Sequence, residues 1–174
     1  DEFLPETNRD RPISDRVMDA LDHLDRLEAD LDTLVFLPGE REIRETQQKL
    51  TGGWKAGVEV LPLYSRLGGQ DQDKAFRTTG KRRIILATNV AETSVTIPGI
   101  RAVIDTGEVR LQRFHPQTGI QRLVTETVSQ ASAKQRRGRC GRTGPGICVR
   151  LYSEEDLENA PPYLDPEIRR ASLA

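Results

Sequence analysis

Two hydrophobic periods alternate along this chain, and their alternation sets the order of its elements. From Ile13 onward, Ile13, Val17, Leu21, Leu24, Leu27 and Leu31 recur at helical spacing with Asp, Arg and Glu between them, which predicts an amphipathic helix of about five turns. Thr33–Leu37 is a short apolar run closed by Pro38-Gly39, the pattern of a buried strand. A polar helix through Glu40–Leu50, a strand at Val58–Tyr64, a helix at about Gly69–Phe76, a strand at Arg83–Ala87, a short helix near Ala91–Ser94 and a strand at Arg101–Ile104 complete the alternation. Strands that are apolar throughout and alternate with helices imply an α/β fold whose parallel sheet is covered on both faces.

Two segments depart from that scheme. Glu108–Phe114 and Gly119–Thr127 alternate polar and apolar residues on either side of His115-Pro116-Gln117-Thr118, so they read as a β-hairpin inserted after a core strand. Ile147–Tyr152 supplies a final strand, and Ser153-Glu154-Glu155-Asp156 opens an acidic helix whose charges suit an N-terminus. The first dozen residues have no period and read as a linker from something upstream, residues 13–159 as the domain, and 160–174 as the start of a connection to something downstream. No repeat or low-complexity tract appears.

Composition narrows the class. In a chain of 174 residues, 36% apolar content suffices for one globular core. The sequence has no run of eighteen apolar residues and no signal-like start, so a cytoplasmic protein without membrane insertion is expected. Cys140 and Cys148 lack the paired spacing of a zinc site and read as ordinary reduced residues, although the arginines around Cys140 could lower its pKa. No metal site is expected. The net charge of −1 hides a segregation: residues 76–152 carry 14 basic and 4 acidic side chains, whereas residues 1–75 carry 10 and 17. A cationic middle with acidic flanks favours a polyanionic partner, nucleotide or nucleic acid.

The chemistry concentrates in two segments. Gln135-Arg136-Arg137-Gly138-Arg139-Cys140-Gly141-Arg142 sets four arginines and two glycines in eight positions after a helix-like start at Ser129. Arginine forks bind phosphate oxygens and glycine permits close backbone approach, although such a cluster is also what a solvated face looks like. If residues 132–140 are helical, Gln135, Arg139 and Arg142 share one face. The second segment, Ala87-Thr88-Asn89-Val90-Ala91-Glu92-Thr93-Ser94-Val95-Thr96-Ile97, follows a strand with four hydroxyls and an amide. These suit contacts to phosphate at a helix start, or simply helix capping.

The arginine segment resembles the closing Q-R-x-G-R-x-G-R motif of superfamily-two helicases, and Ala87–Thr96 resembles the A-T-N-x-A-E-T-S-x-T motif of DEAH-box RNA helicases. Leu34–Gly39 resembles the strand motif preceding them, and the order is the family's. Gly-Arg-Cys-Gly-Arg, Leu-Pro-Leu-Tyr-Ser-Arg-Leu and Gly-Glu-Arg-Glu-Ile are most similar to the bacterial HrpA-type branch. Flaviviral helicases share the arginine motif but not Ala87–Ser94, and DEAD-box enzymes begin it with histidine where Gln135 stands.

The resemblance covers nearly the whole chain. It implies a RecA-like three-layer sandwich with a mostly parallel sheet, the second motor domain of a 3′–5′ RNA helicase that uses ATP and Mg2+. Both would be held mainly by a first RecA-like domain: no G-x-x-x-x-G-K-[ST] loop and no Asp-Glu-x-His tetrad occurs in these residues. The fragment alone is therefore expected to be inactive as an ATPase. By resemblance, Arg142 and Arg139 are arginine fingers, with Gln135 beside them on the triphosphate. Ser94 and Thr96 sense nucleotide state and touch ribose, while Pro98 stands where many relatives carry a ribose-binding aspartate. Phe76 either stacks on adenine or caps the core, since the proline that follows it in the family is absent.

Thr88 and Asn89, with Ser65 and Arg66 from a loop, would hold the backbone of single-stranded RNA, and DNA remains open as a substrate. The hairpin carrying Arg110, Arg113, His115 and Arg122 resembles the strand-separating element, against the alternative of a solvated β-arm. Two rivals are an RNA-binding regulatory module without a motor partner, and a DNA-directed helicase or other nucleotide-binding domain. A monomer is expected.

Overall fold

The computed structural model of the protein describes residues 1–4, 10–64, 69–77, 80–142 and 144–164, the side chains of residues 69–72 excepted. Its elements in chain order are β1 (Glu2–Phe3), α1 (Ile13–Leu27), β2 (Thr33–Phe36), α2 (Glu40–Thr51), β3 (Val58–Leu63), α3 (Gly69–Phe76), β4 (Arg82–Ala87) and α4 (Val90–Thr93). They continue with β5 (Ala102–Asp105), β6 (Glu108–His115), β7 (Ile120–Thr127), α5 (Gln130–Arg137), β8 (Ile147–Arg150) and α6 (Glu154–Glu158). Six strands form one sheet in the order β1-β8-β5-β2-β4-β3, with every pair parallel. β6 and β7 pair antiparallel as a separate hairpin.

Strand alternation divides the core into two layers. Val35, Leu37, Ile84, Leu86, Ala102, Ile104 and Val149 face Val17, Leu21 and Leu24 of α1 and Ile43 and Leu50 of α2. Their neighbours Leu34, Phe36, Ile85, Ala87, Val103 and Cys148 face the opposite way, against Ala75 of α3, Ala91 of α4, Ile97 and Ile100. Helices therefore cover both faces, as continuous apolar strands require, and the result is the expected three-layer α/β sandwich. Fully burying each such Leu, Ile or Val contributes about 1.5–3 kcal/mol.

Local departures from the sequence expectation have simple causes. Helix α1 stops at Leu27, capped by the Glu28 amide on the Leu24 carbonyl, and Asp30 at φ 64° turns the chain. Leu31 is thus buried from outside the helix, and Leu27 is 47% exposed. The opening segment, read as a linker, lays Glu2 and Phe3 against Val149 and Arg150 as an edge strand. The hairpin stands on Gly107, whose φ of 81° and closeness to Tyr152, 2.5 Å from where a Cβ would sit, leave no room for a side chain.

Candidate nucleotide and nucleic-acid site

In a parallel sheet every strand ends at the same edge, and loops leaving that edge converge. Thr88 and Asn89 leave β4 there, with the Thr88 amide donating to the Leu63 carbonyl at 3.2 Å. Asn89 precedes α4 with no side-chain cap, and Ser94 closes that helix. Asn89, Ser94 and Thr96 are exposed and Thr88 is half-buried. Among the described residues no side-chain hydrogen bond engages any of the four, while Asn89 and Ser94 occupy the cap positions of α4.

The arginine segment departs from the single-face expectation. Helix α5 ends at Arg137 with Gly138 as its C-cap, so Gln135 lies on the helix while Arg139 and Arg142 lie beyond it, and helical spacing cannot align the three. Gly138, the first glycine of the motif, is the residue that ends the helix. The linkage to the other loop is direct nonetheless: Arg139 donates to the carbonyls of Glu92 and of Val95, the latter at 3.3 Å, stitching the segment to the loop that holds Ser94 and Thr96. Gln135 and Arg142 are exposed. Arg142 donates to the Gly138 carbonyl at 3.3 Å, and no carboxylate among the described residues lies within ion-pair reach of it. Burial and the neighbouring Arg142 charge, only partly offset by Glu92, pull the Arg139 guanidinium below its usual range.

Not every arginine of the segment is available to a ligand. Arg136 is wholly buried, donating to Glu92 Oε2 at 2.8 Å, Asp105 Oδ1 at 2.8 Å and the Glu108 carbonyl at 3.1 Å, with its guanidinium 4.9 Å from the Phe36 ring centre. Asp105, equally buried, takes Arg150 Nη1 at 2.9 Å and the Tyr152 hydroxyl at 2.6 Å on its other oxygen, and the Gly107 amide at 2.9 Å. Sequence reasoning grouped Arg136 with its exposed neighbours and missed this network. A signal for it existed: Asp105 and Arg150 each close an apolar strand, and the two are register partners.

The hairpin residues divide similarly. Arg110 reaches back to α2 and donates from Nη1 and Nη2 to the two Glu42 carboxylate oxygens at 2.9 and 3.0 Å. It passes so close to Gly39 that a Cβ there would lie 2.2 Å from Nη1. Arg113 pairs with Glu126 across the hairpin, Nη2 to Oε1 at 2.8 Å. His115 and Arg122 are exposed, as are Ile120, Leu123 and Val124.

The Arg110–Glu42 pair carries a pH dependence. Burial pushes the Glu42 carboxyl up, but the hydrogen bonds and charge of Arg110 outweigh it and hold the group below the usual carboxylate range. A depressed folded-state pKa stabilises above the unfolded value of about 4.3, and that contribution is lost as pH falls through the folded value. Glu42→Gln is therefore expected to flatten the fall of the urea midpoint between about pH 5 and pH 3. Parallel curves for the two proteins would remove the pair from the acid response.

Phe76 ends α3, half-buried against the second core layer. Ser65 and Arg66 lie outside the described residues. Both cysteine thiols are free, and burial decides their acidity. It raises Cys140 despite the Arg137 charge and pushes Cys148 up to about 12, correcting the expectation that the arginines could lower Cys140. Among the described residues no cluster of His, Cys, Asp or Glu could hold a metal ion, and no helix is long and apolar enough to cross a membrane.

The profile of the family described as "Helicase conserved C-terminal domain" matches residues 16–144. The chain is 50% identical over 173 residues to the ATP-dependent RNA helicase HrpA of Escherichia coli, covering 99% of this chain and 13% of that protein. It is 50% identical over 163 residues to the probable ATP-dependent RNA helicase DHX34 of Homo sapiens, covering 91% of this chain and 14% of that protein. The crystal structure of the Escherichia coli DEAH/RHA helicase HrpB matches with a TM-score of 0.87 at 43% identity, over 96% of this chain and 21% of that one. The chain thus spans about an eighth of the length of HrpA. A profile match over most of its length, half-identical sequence over nearly the whole chain, and a close structural match to a DEAH/RHA helicase settle its place: the chain belongs to the helicase C-terminal domain family, of the DEAH RNA helicase type.

Proposed function

We propose that this chain works as the second motor domain of a longer ATP-dependent 3′–5′ RNA helicase, completing an ATP site whose phosphate loop and Mg2+ ligands lie on a first RecA-like domain. The observation that carries this reading is the contrast inside one eight-residue segment. Arg136 is spent on neutralising buried carboxylates, while Arg142 stays exposed without a carboxylate partner among the described residues. Arg142 lies close enough to Arg139 for the two like charges to oppose each other. A triphosphate placed there relieves that repulsion, and the fit to ATP is supported by these donors beside Ser94 and Thr96. Hydrolysis of the terminal phosphoanhydride of ATP by water would supply the free energy; Arg142, and Arg139 once it leaves the Glu92 and Val95 carbonyls, would stabilise negative charge on the transferring phosphoryl group. Gln135 orients from the end of α5, and Phe76 offers the exposed part of its ring to the base.

Single-stranded RNA is the proposed polymer, held at its backbone by Thr88 and Asn89. Backbone contacts position without reading sequence. A Thr88→Ala, Asn89→Ala double variant of the parent protein is therefore expected to weaken RNA binding by roughly tenfold, uniformly across sequences. Loss confined to particular sequences in a binding titration would place base reading here instead. The parent itself is expected to hydrolyse ATP faster when RNA is added. RNA binding with no hydrolysis would favour a regulatory RNA-binding module, and equal stimulation by DNA would broaden the substrate.

A further inference from the structure

The hairpin is joined to the arginine segment twice. Its return strand β7 ends at Thr127 and only Val128 and Ser129 intervene before α5 begins, with Ser129 capping that helix through Ser132 N at 3.1 Å. The Val128 amide donates to the Gly107 carbonyl at 3.0 Å, closing the hairpin base. The outgoing strand β6 is held by a side chain: Arg136 Nη2 donates to the carbonyl of Glu108, its first residue, at 3.1 Å. The rest of the same guanidinium is anchored on Glu92 of α4 and Asp105 of β5. Three residues further along, Arg139 is fastened to the α4 loop.

One buried side chain therefore links the hairpin, helix α4, which directly follows Thr88 and Asn89, and the segment leading to Arg139 and Arg142. A buried guanidinium whose three nitrogens are each hydrogen-bonded is stiff. The hairpin tip is not clamped in this way: Ile120, Leu123 and Val124 stand exposed beside Arg122. Load applied to an exposed arm has its fulcrum at the base, where Arg136 sits.

We propose, on the footing of the helicase reading above, that Arg136 is a positioning residue coupling the hairpin to the ATP-facing arginines, so that engagement of a duplex by the hairpin sets the position of Arg139 and Arg142. It touches neither nucleotide nor RNA. Its planar fork is what the task requires, since a lysine ammonium in its place keeps the charge but cannot hold Glu92, Asp105 and the Glu108 carbonyl in one plane.

The test uses the parent protein, unaltered and as Arg136→Lys. Three quantities are read: the urea midpoint, ATP turnover with single-stranded RNA, and base pairs opened per ATP on a duplex bearing a 3′ single-stranded tail. Turnover on single strands is expected to stay within about threefold while pairs opened per ATP fall at least tenfold. A variant in which both quantities fall together, or neither changes, overturns the coupling and leaves Arg136 a core residue only. Absence of RNA-stimulated turnover in the unaltered parent would instead overturn the helicase reading, a distinguishable failure. Hydrogen exchange on the unaltered parent needs no variant. Amides of residues 130–142 are expected to exchange at least tenfold more slowly with a forked duplex than with single-stranded RNA, and equal exchange overturns the proposal even if Arg136→Lys does not fold.

Discussion

Asp105→Ala is expected to lose about 3–5 kcal/mol of folding stability, the cost of removing one partner from a buried ion pair. For a domain whose whole stability is of the order of 5–15 kcal/mol, that removes a large share of it, and at the lower end of that range leaves much of the protein unfolded. Asp105 is fully buried and holds Arg136, Arg150, the Tyr152 hydroxyl and the Gly107 amide at once. Its removal strands two guanidinium groups in the core, leaving among the described residues Glu92 as the one close carboxylate for Arg136 and Asp1, 3.6 Å away, for Arg150. Asp105→Asn keeps some acceptor capacity and should cost less, because a neutral amide still takes part of the hydrogen bonding. Urea unfolding of both variants checks the order. An Asp105→Ala loss under about 1 kcal/mol would mean that the arginines find water or other partners, and that the network does not hold the strand ends together.

Much of the fold was legible because hydrophobic period follows directly from geometry. Residues 34–37 alternate between the two faces of one strand, and residues 17, 21 and 24 fall on one stripe of α1. What periodicity could not tell was where a helix stops when the next apolar residue happens to fall in phase. Leu31 continues the spacing of α1 although Asp30 has already turned the chain. For α5 the stop was legible in principle, since glycine is a common C-cap and Gly138 sits in the motif, but reading Arg139 and Arg142 as helical overrode it.

The candidate site shows the same limit in electrostatic form. Arg136, Arg137, Arg139 and Arg142 are equivalent in a sequence, yet one is fully buried, one half-buried and two exposed. Burial of a charge depends on a partner brought from elsewhere, here Asp105 and Glu92, 31 and 44 positions away. Local spacing carries no such information. Arg110 is parallel: an arginine expected to serve a strand-separating hairpin is held by Glu42 on α2, 68 residues back.

The most direct test of the composite-site reading is ATP turnover by the RNA-saturated parent protein, compared with Arg142→Ala at matched folding stability. Arg142 is exposed and, among the described residues, tethered only to the Gly138 carbonyl, so truncation should cost little stability and its effect on turnover can be read as chemistry. An arginine that stabilises charge on the transferring phosphoryl group contributes on the order of 10³–10⁵ in rate. It acts in the transition state more than in the ground state, so turnover should fall while KM for ATP changes little. The predicted result is a loss of at least about a hundredfold in turnover with RNA affinity retained, and no recovery in Arg142→Lys, whose single ammonium lacks the fork. Unchanged turnover in Arg142→Ala, with RNA still bound, would contradict the assignment of this domain as the half that completes the ATP site.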